Sequence, residues 1–143
     1  MLQQQPQWQP IGMLPTLARH IDGLLAADRE QYKTLLEAKP KPYVLDGATV
    51  SLIISAFTTQ KNDFWLFEEQ LRQWQAGTLS DGQRRELTCL VEQMWLLHET
   101  NMQVLDLAKE LQQGPIEKQM AKLNEQLGFE QIMRMLGGEG KQQ

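Results

Sequence analysis

Apolar residues recur along this chain every three or four positions in long series, and almost nowhere at every second position. The first pattern predicts helices with one buried stripe; the lack of the second argues against strands. The first series is Leu14, Leu17, Ile21, Leu24, Leu25, Tyr32, Leu35 and Leu36, which predicts a helix from about Pro15 to Glu37. A proline suits the first helical position, where its missing N–H would have no partner anyway. Gly23 lies inside and costs about 1 kcal/mol relative to Ala, little beside the burial of the stripe. Lys39-Pro40-Lys41-Pro42 then stops the helix, because each proline disfavours the α conformation of the residue before it.

The second series is Val50, Ile53, Ile54, Phe57, Phe64, Phe67, Leu71 and Trp74. Asp46 is a good N-cap, and Leu45 and Val50 fall at the two positions of a hydrophobic staple. The stripe lapses only around Gln60 and Lys61. A single helix from about Gly47 to Gln75 is expected, roughly 45 Å long; a break near Thr58–Asn62 is the alternative, since Thr and Asn are weak helix formers. After the turn at Ala76-Gly77-Thr78-Leu79, Ser80 and Gln83 form a capping box. The third helix carries Leu87, Leu90, Val91, Met94, Leu97, Val104, Leu105, Ala108 and Leu111, with His98 and Asn101 at polar interruptions of its stripe. Gly114-Pro115 is expected to end it. A fourth, shorter helix with Ile116, Met120, Leu123 and Leu127 would follow, closed by Gly128, and a last apolar turn holds Phe129, Ile132, Met133 and Leu136.

The expected fold is therefore all-α, an antiparallel bundle of three long helices plus a shorter C-terminal helix or helix pair. Residues 14–136 form its single domain. Residues 1–13, where glutamines alternate with Pro6 and Pro10, read as a disordered tail, and residues 137–143 as a flexible one. Trp8 is the only aromatic of the first tail, either incidental or docked loosely on the bundle. Short loops make successive helices antiparallel neighbours. Folding the second onto the third about Thr78 levels residues whose numbers add to roughly 156, and folding the first back at the prolines sets Asp28 near Ala56. One stratum then gathers Asp28, Gln60, His98 and Asn101. It reads as a polar layer that fixes register, as single buried polar residues do in coiled coils, ahead of a ligand pocket.

Composition narrows the function. The net charge is −4, and the basic residues come as scattered pairs with acidic neighbours, which disfavours a free-standing nucleic-acid binder. One cysteine excludes an intrachain disulfide, and no basic stretch leads into an apolar run at the N-terminus, so a cytoplasmic protein is expected. No apolar run is long enough for a membrane span. No metal or other cofactor is expected: the residue three before His98 is Trp95 and that before His20 is Leu17, so the Glu-x-x-His pairs of di-iron bundles are missing. Zinc would want more Cys and His than the one and two present. Cys89 and His98 stand about 13 Å apart along one helix, too far for a nucleophilic pair, so Cys89 reads as a small, partly buried apolar residue. Most glycines fall in turns and the C-terminal tail, with no phosphate loop.

Interaction remains. Trp65 and Trp95 lie about a quarter turn off their stripes; they either widen the core or, if exposed, form an interaction surface. Met120, Leu123, Leu127, Phe129, Ile132 and Met133 form the other candidate interaction surface, adaptable because methionine is. The expectation is a non-enzymatic helical protein–protein interaction module (an adaptor, a small assembly subunit or a chaperone-like protein) that self-associates as a homodimer. The alternatives are a nucleic-acid-associated regulatory protein and a ligand-binding helical bundle.

Overall fold

The structure, a computed structural model, describes the backbone of residues 6–41 and 45–136, with the side chains of these except 114–127, 129–132 and 135–136. After an extended segment, a 3-10 turn (Ile11–Met13) leads into α1 (Leu14–Ala38), followed by α2 (Gly47–Gln75) and α3 (Asp81–Leu136). No strand occurs among the described residues.

The helix starts follow from local chemistry. Asp46 Oδ1 accepts the Thr49 N–H at 2.7 Å, which satisfies an orphan donor of α2 and holds the Asp46 carboxyl below its usual range. At the head of α3 the capping box is closed in both directions. The Ser80 hydroxyl accepts the Gln83 N–H at 3.1 Å, and the Gln83 side chain accepts the Ser80 N–H at 3.0 Å. α2 runs unbroken through Thr58–Asn62.

Both α1 and α2 pack along α3, whereas the backbones of α1 and α2 stay apart from each other. The buried seams alternate steps of three and four, the heptad spacing of coiled coils. On α1 the seam is Leu14, Ala18, Ile21, Leu25, Asp28, Tyr32 and Leu35; on α2 it is Val50, Ile53, Phe57, Gln60, Phe64, Phe67, Leu71 and Trp74. On α3 it is Leu87, Leu90, Met94, Leu97, Asn101, Val104, Ala108 and Leu111. Each seam has one polar member, and these three divide the apolar core into two clusters. One is built around Ile21, Phe64 and Leu97, the other around Leu35, Val50 and Val104. The narrow seam also corrects the wider stripes read from sequence: Leu36 and Val91 lie beside it and are exposed. Cys89 is exposed as well, not partly buried.

The expected break at Gly114-Pro115 is not found: α3 is one helix of 56 residues, about 84 Å long. A residue before proline avoids the α region because its own Cβ and N–H meet the proline ring. Gly114 has no Cβ, so that part of the conflict is missing, although Pro115 still has no N–H to give to the preceding turn. Lys39, just past the end of α1, pairs with Glu110, and Ser51 near the start of α2 accepts a hydrogen bond from Gln112. The stretch of α3 beyond about residue 113 therefore runs on past the ends of both other helices. Among the described residues no helix is long and apolar enough to cross a membrane.

Candidate functional site

Three of the four polar residues singled out from sequence meet at the centre of the bundle. Asn101, 1% exposed, donates through Nδ2 to the Gln60 side-chain oxygen (2.9 Å) and to the Phe57 carbonyl (2.9 Å). Gln60 Nε2 donates in turn to Asp28 Oδ1 at 3.3 Å. Each occupies a seam position of a different helix, so the chain of hydrogen bonds ties α3 to α2 and α2 to α1. Asp28 is 3% exposed; burial pushes its carboxyl up to about 6, against the smaller opposing effect of the Gln60 bond. Its second oxygen, Oδ2, has no hydrogen-bond partner among the described residues.

His98 is not part of this chain. It lies one residue past the seam position Leu97, stacks edge-on against Phe64 (4.5 Å between ring centres) and meets Glu68 Oε2 through Nε2 at 2.6 Å. Its pair is half-exposed and opens to a different surface.

That surface is apolar around the pair. Val91, Trp95, His98 and Met102 follow one another at four-, three- and four-residue steps on one face of α3. Trp65 stands three residues before Glu68 and seven before Arg72, hence on one line of α2. Glu68 and Arg72 share with Val91, Trp95 and His98 a shallow hollow of about 230 Å³. Trp95 is 69% exposed, Met102 55% and Trp65 53%. The two indoles thus do not widen the core. Of the C-terminal candidates, Met133 is exposed; the side chains of Met120, Leu123, Leu127, Phe129 and Ile132 lie outside the described residues.

A second site escaped the sequence reading. Residues 9–13, assigned there to a free tail, lie against the bundle. Gln9 donates its N–H to Gln70 Oε1 (2.6 Å), and its carbonyl accepts from Gln70 Nε2 (3.3 Å) and from the Trp74 indole (2.8 Å). Gln70 is buried. Nothing periodic in a Gln- and Pro-rich segment signals this, because the bonds run from side chains to backbone.

Chemically the layer offers hydrogen bonds and one buried carboxyl. Among the described residues no three His, Cys, Asp or Glu side chains approach closely enough to hold a metal ion. The Cys89 thiol is exposed, and His20 stands edge-on to Phe67 at 5.8 Å. No protein-family model, no curated protein and no solved structure matches the chain.

Proposed function

We propose that this protein is a non-enzymatic helical interaction module that self-associates as a homodimer through the face shared by α2 and α3. The observation that carries the reading is the pair of exposed indoles, Trp65 and Trp95, on the two helices that the His98–Glu68 pair joins, with Trp95 and Val91 lining the hollow beside that pair. Apolar side chains grouped on one face of a small soluble bundle mark an interaction surface, and tryptophan is the residue type most enriched at the energetic centre of interfaces. A two-fold interface uses the same patch twice. Burying the exposed part of two indoles on each protomer supplies on the order of 10 kcal/mol gross, against about 4–15 kcal/mol for association itself. A reversible dimer is expected, not a permanent one.

An antiparallel packing of α2 on α3 belongs to the same reading. It is supported by early residues of α2 meeting late ones of α3: Ser51 with Gln112, Phe57 with Asn101, Glu68 with His98. The part of α3 that outruns α1 and α2 extends the surface available to a partner. Its sequence keeps apolar residues at four-, three- and four-residue steps through Ile116, Met120, Leu123 and Leu127, a spacing suited to a partner helix. A cytoplasmic setting is part of the proposal, consistent with a single cysteine that is exposed and free.

Hydroxyl-radical footprinting in dilute and concentrated solution tests the reading. Oxidation of Trp65, Trp95 and Met102 is expected to fall as concentration rises, while that of Trp8 stays level. Equal oxidation of all four at both concentrations contradicts the proposed face.

A further inference from the structure

The geometry points to a peptide-recognition groove between α1 and α2, held in this structure by the chain's own N-terminal segment and built to take an extended, uncharged, proline-containing peptide of a partner protein. It stands apart from the self-association above, since none of its residues lies on the Trp65–Trp95 face.

The groove lies between α1 and α2, each of which packs mainly on α3. Its walls are Met13, Leu17 and His20 on one side and Phe67 and Trp74 on the other, with Gln70 at the base. Residues 6–10 run across it without regular structure. Pro10 adopts φ −70°, ψ 160°, the polyproline conformation, and as a proline it also holds Gln9 out of the α region. An extended residue turns its N–H and C=O to the same side. Both of these groups of Gln9 meet the side-chain amide of Gln70, and the Trp74 indole adds a second donor to the carbonyl. Every one of these bonds reads backbone, so none demands glutamine at position 9. What the site requires is an extended residue followed by proline. Aromatic-lined grooves with a hydrogen-bonding indole suit that conformation, because little entropy is lost when it binds.

The resident segment is a loose fit. Gln7, Trp8 and Gln9 all remain exposed, and a space of about 500 Å³ stays open between the segment and the helices, within the size range of ligand sites. A partner peptide that places a large apolar side chain in that space gains contact the resident segment does not make. The tether gives the resident segment a high effective concentration, so it acts as a built-in competitor that a partner must displace.

The test uses the full chain and a fluorescent peptide with the sequence of residues 4–12. Binding is compared between the wild type and a chain carrying Trp8→Ala and Gln9→Pro, which removes a side chain lining the groove and the N–H given to Gln70. The weakened chain is expected to bind the peptide about tenfold more tightly. Adding Gln70→Leu or Trp74→Phe should reverse that gain by about tenfold, one lost hydrogen-bonding group being the cause; circular dichroism checks that each variant stays helical. Equal binding by wild type and weakened chain overturns the proposal, as does binding that survives both groove substitutions. Loss of self-association on weakening the segment also overturns it, because the groove would then hold the N-terminus of a second copy.

Discussion

Asp28 carries an unusual load for one side chain. It is ionisable, sits in a heptad seam, and has one oxygen bonded to Gln60 while the other has no partner among the described residues. Its folded-state value of about 6 lies above the ordinary 3.8. The folded protein therefore binds a proton more tightly than the unfolded chain, so Asp28 opposes folding progressively as pH rises from 3.8 to about 6, and fully above that. Asp28→Asn keeps an oxygen for Gln60 and removes the charge. It should stabilise the protein at pH 7.5 by about 1–3 kcal/mol and have far less effect at pH 4. Urea unfolding of both proteins at the two pH values checks this; an effect equal at both contradicts a buried, ionising Asp28. Asn101→Ala acts in the other direction. It leaves the Gln60 oxygen unpaired inside the core and should lower stability by about 1–3 kcal/mol in the same assay. A loss under about 0.5 kcal/mol, typical of surface substitutions, would mean that the layer is open to water. At this scale the sequence was partly legible. Asp28, Gln60 and Asn101 could be found because each falls where an apolar residue is due. His98 stood one residue off that position, an error of about 100° around the helix that sent it to Glu68 instead. Gln70 and Trp74 could not be recognised as a binding pair, since their partner is backbone.

Two of the three long helices, α2 and α3, start on side-chain caps, whereas α1 starts on a proline in its first turn with no side-chain cap. The Ser80–Gln83 box, closed by two hydrogen bonds, should make α3 sensitive at its first turn. Ser80→Ala is expected to cost about 1 kcal/mol in thermal or urea unfolding, and no change there would assign the start of α3 to packing by Leu87 and Leu90 alone. Starts could be read from sequence for that reason: Asp46 and Ser80 announce themselves by residue type and spacing. Gly114-Pro115 looked like the same kind of signal and was not one; glycine's missing Cβ removes one clash with the proline ring, which makes the pair a weaker stop than its residue types suggest. Small-angle X-ray scattering distinguishes the two arrangements. A continuous α3 requires a particle with one dimension of at least about 80 Å, whereas a C-terminal helix folded back at residue 114 would bring it to roughly 50 Å.

The whole molecule is organised around α3, which offers one side to α1 and α2, carries Trp95 on another, and outruns both partners. Hydrophobic spacing was enough to predict an all-helical chain, since three long seams admit few other solutions. It could not predict which off-seam residues would be covered, because a quarter-turn displacement places Trp65 and Trp95 equally well under a crossing helix or in solvent. That α1 and α2 each pack on α3, leaving Trp65 and Trp95 exposed and the N-terminal segment against α1 and α2, is a property of packing between elements and has no signature within any one of them. The claim that the open face joins two copies is tested most directly by the solution mass from light scattering across a concentration series, comparing the wild type with a chain carrying Trp65→Ser and Trp95→Ser. The wild type should approach twice the chain mass of 16.5 kDa at high concentration, and the variant should remain folded at the single-chain mass, its association weakened by about a hundredfold or more. A wild type that stays at the single-chain mass throughout, or a variant that associates as well as the wild type, contradicts the account.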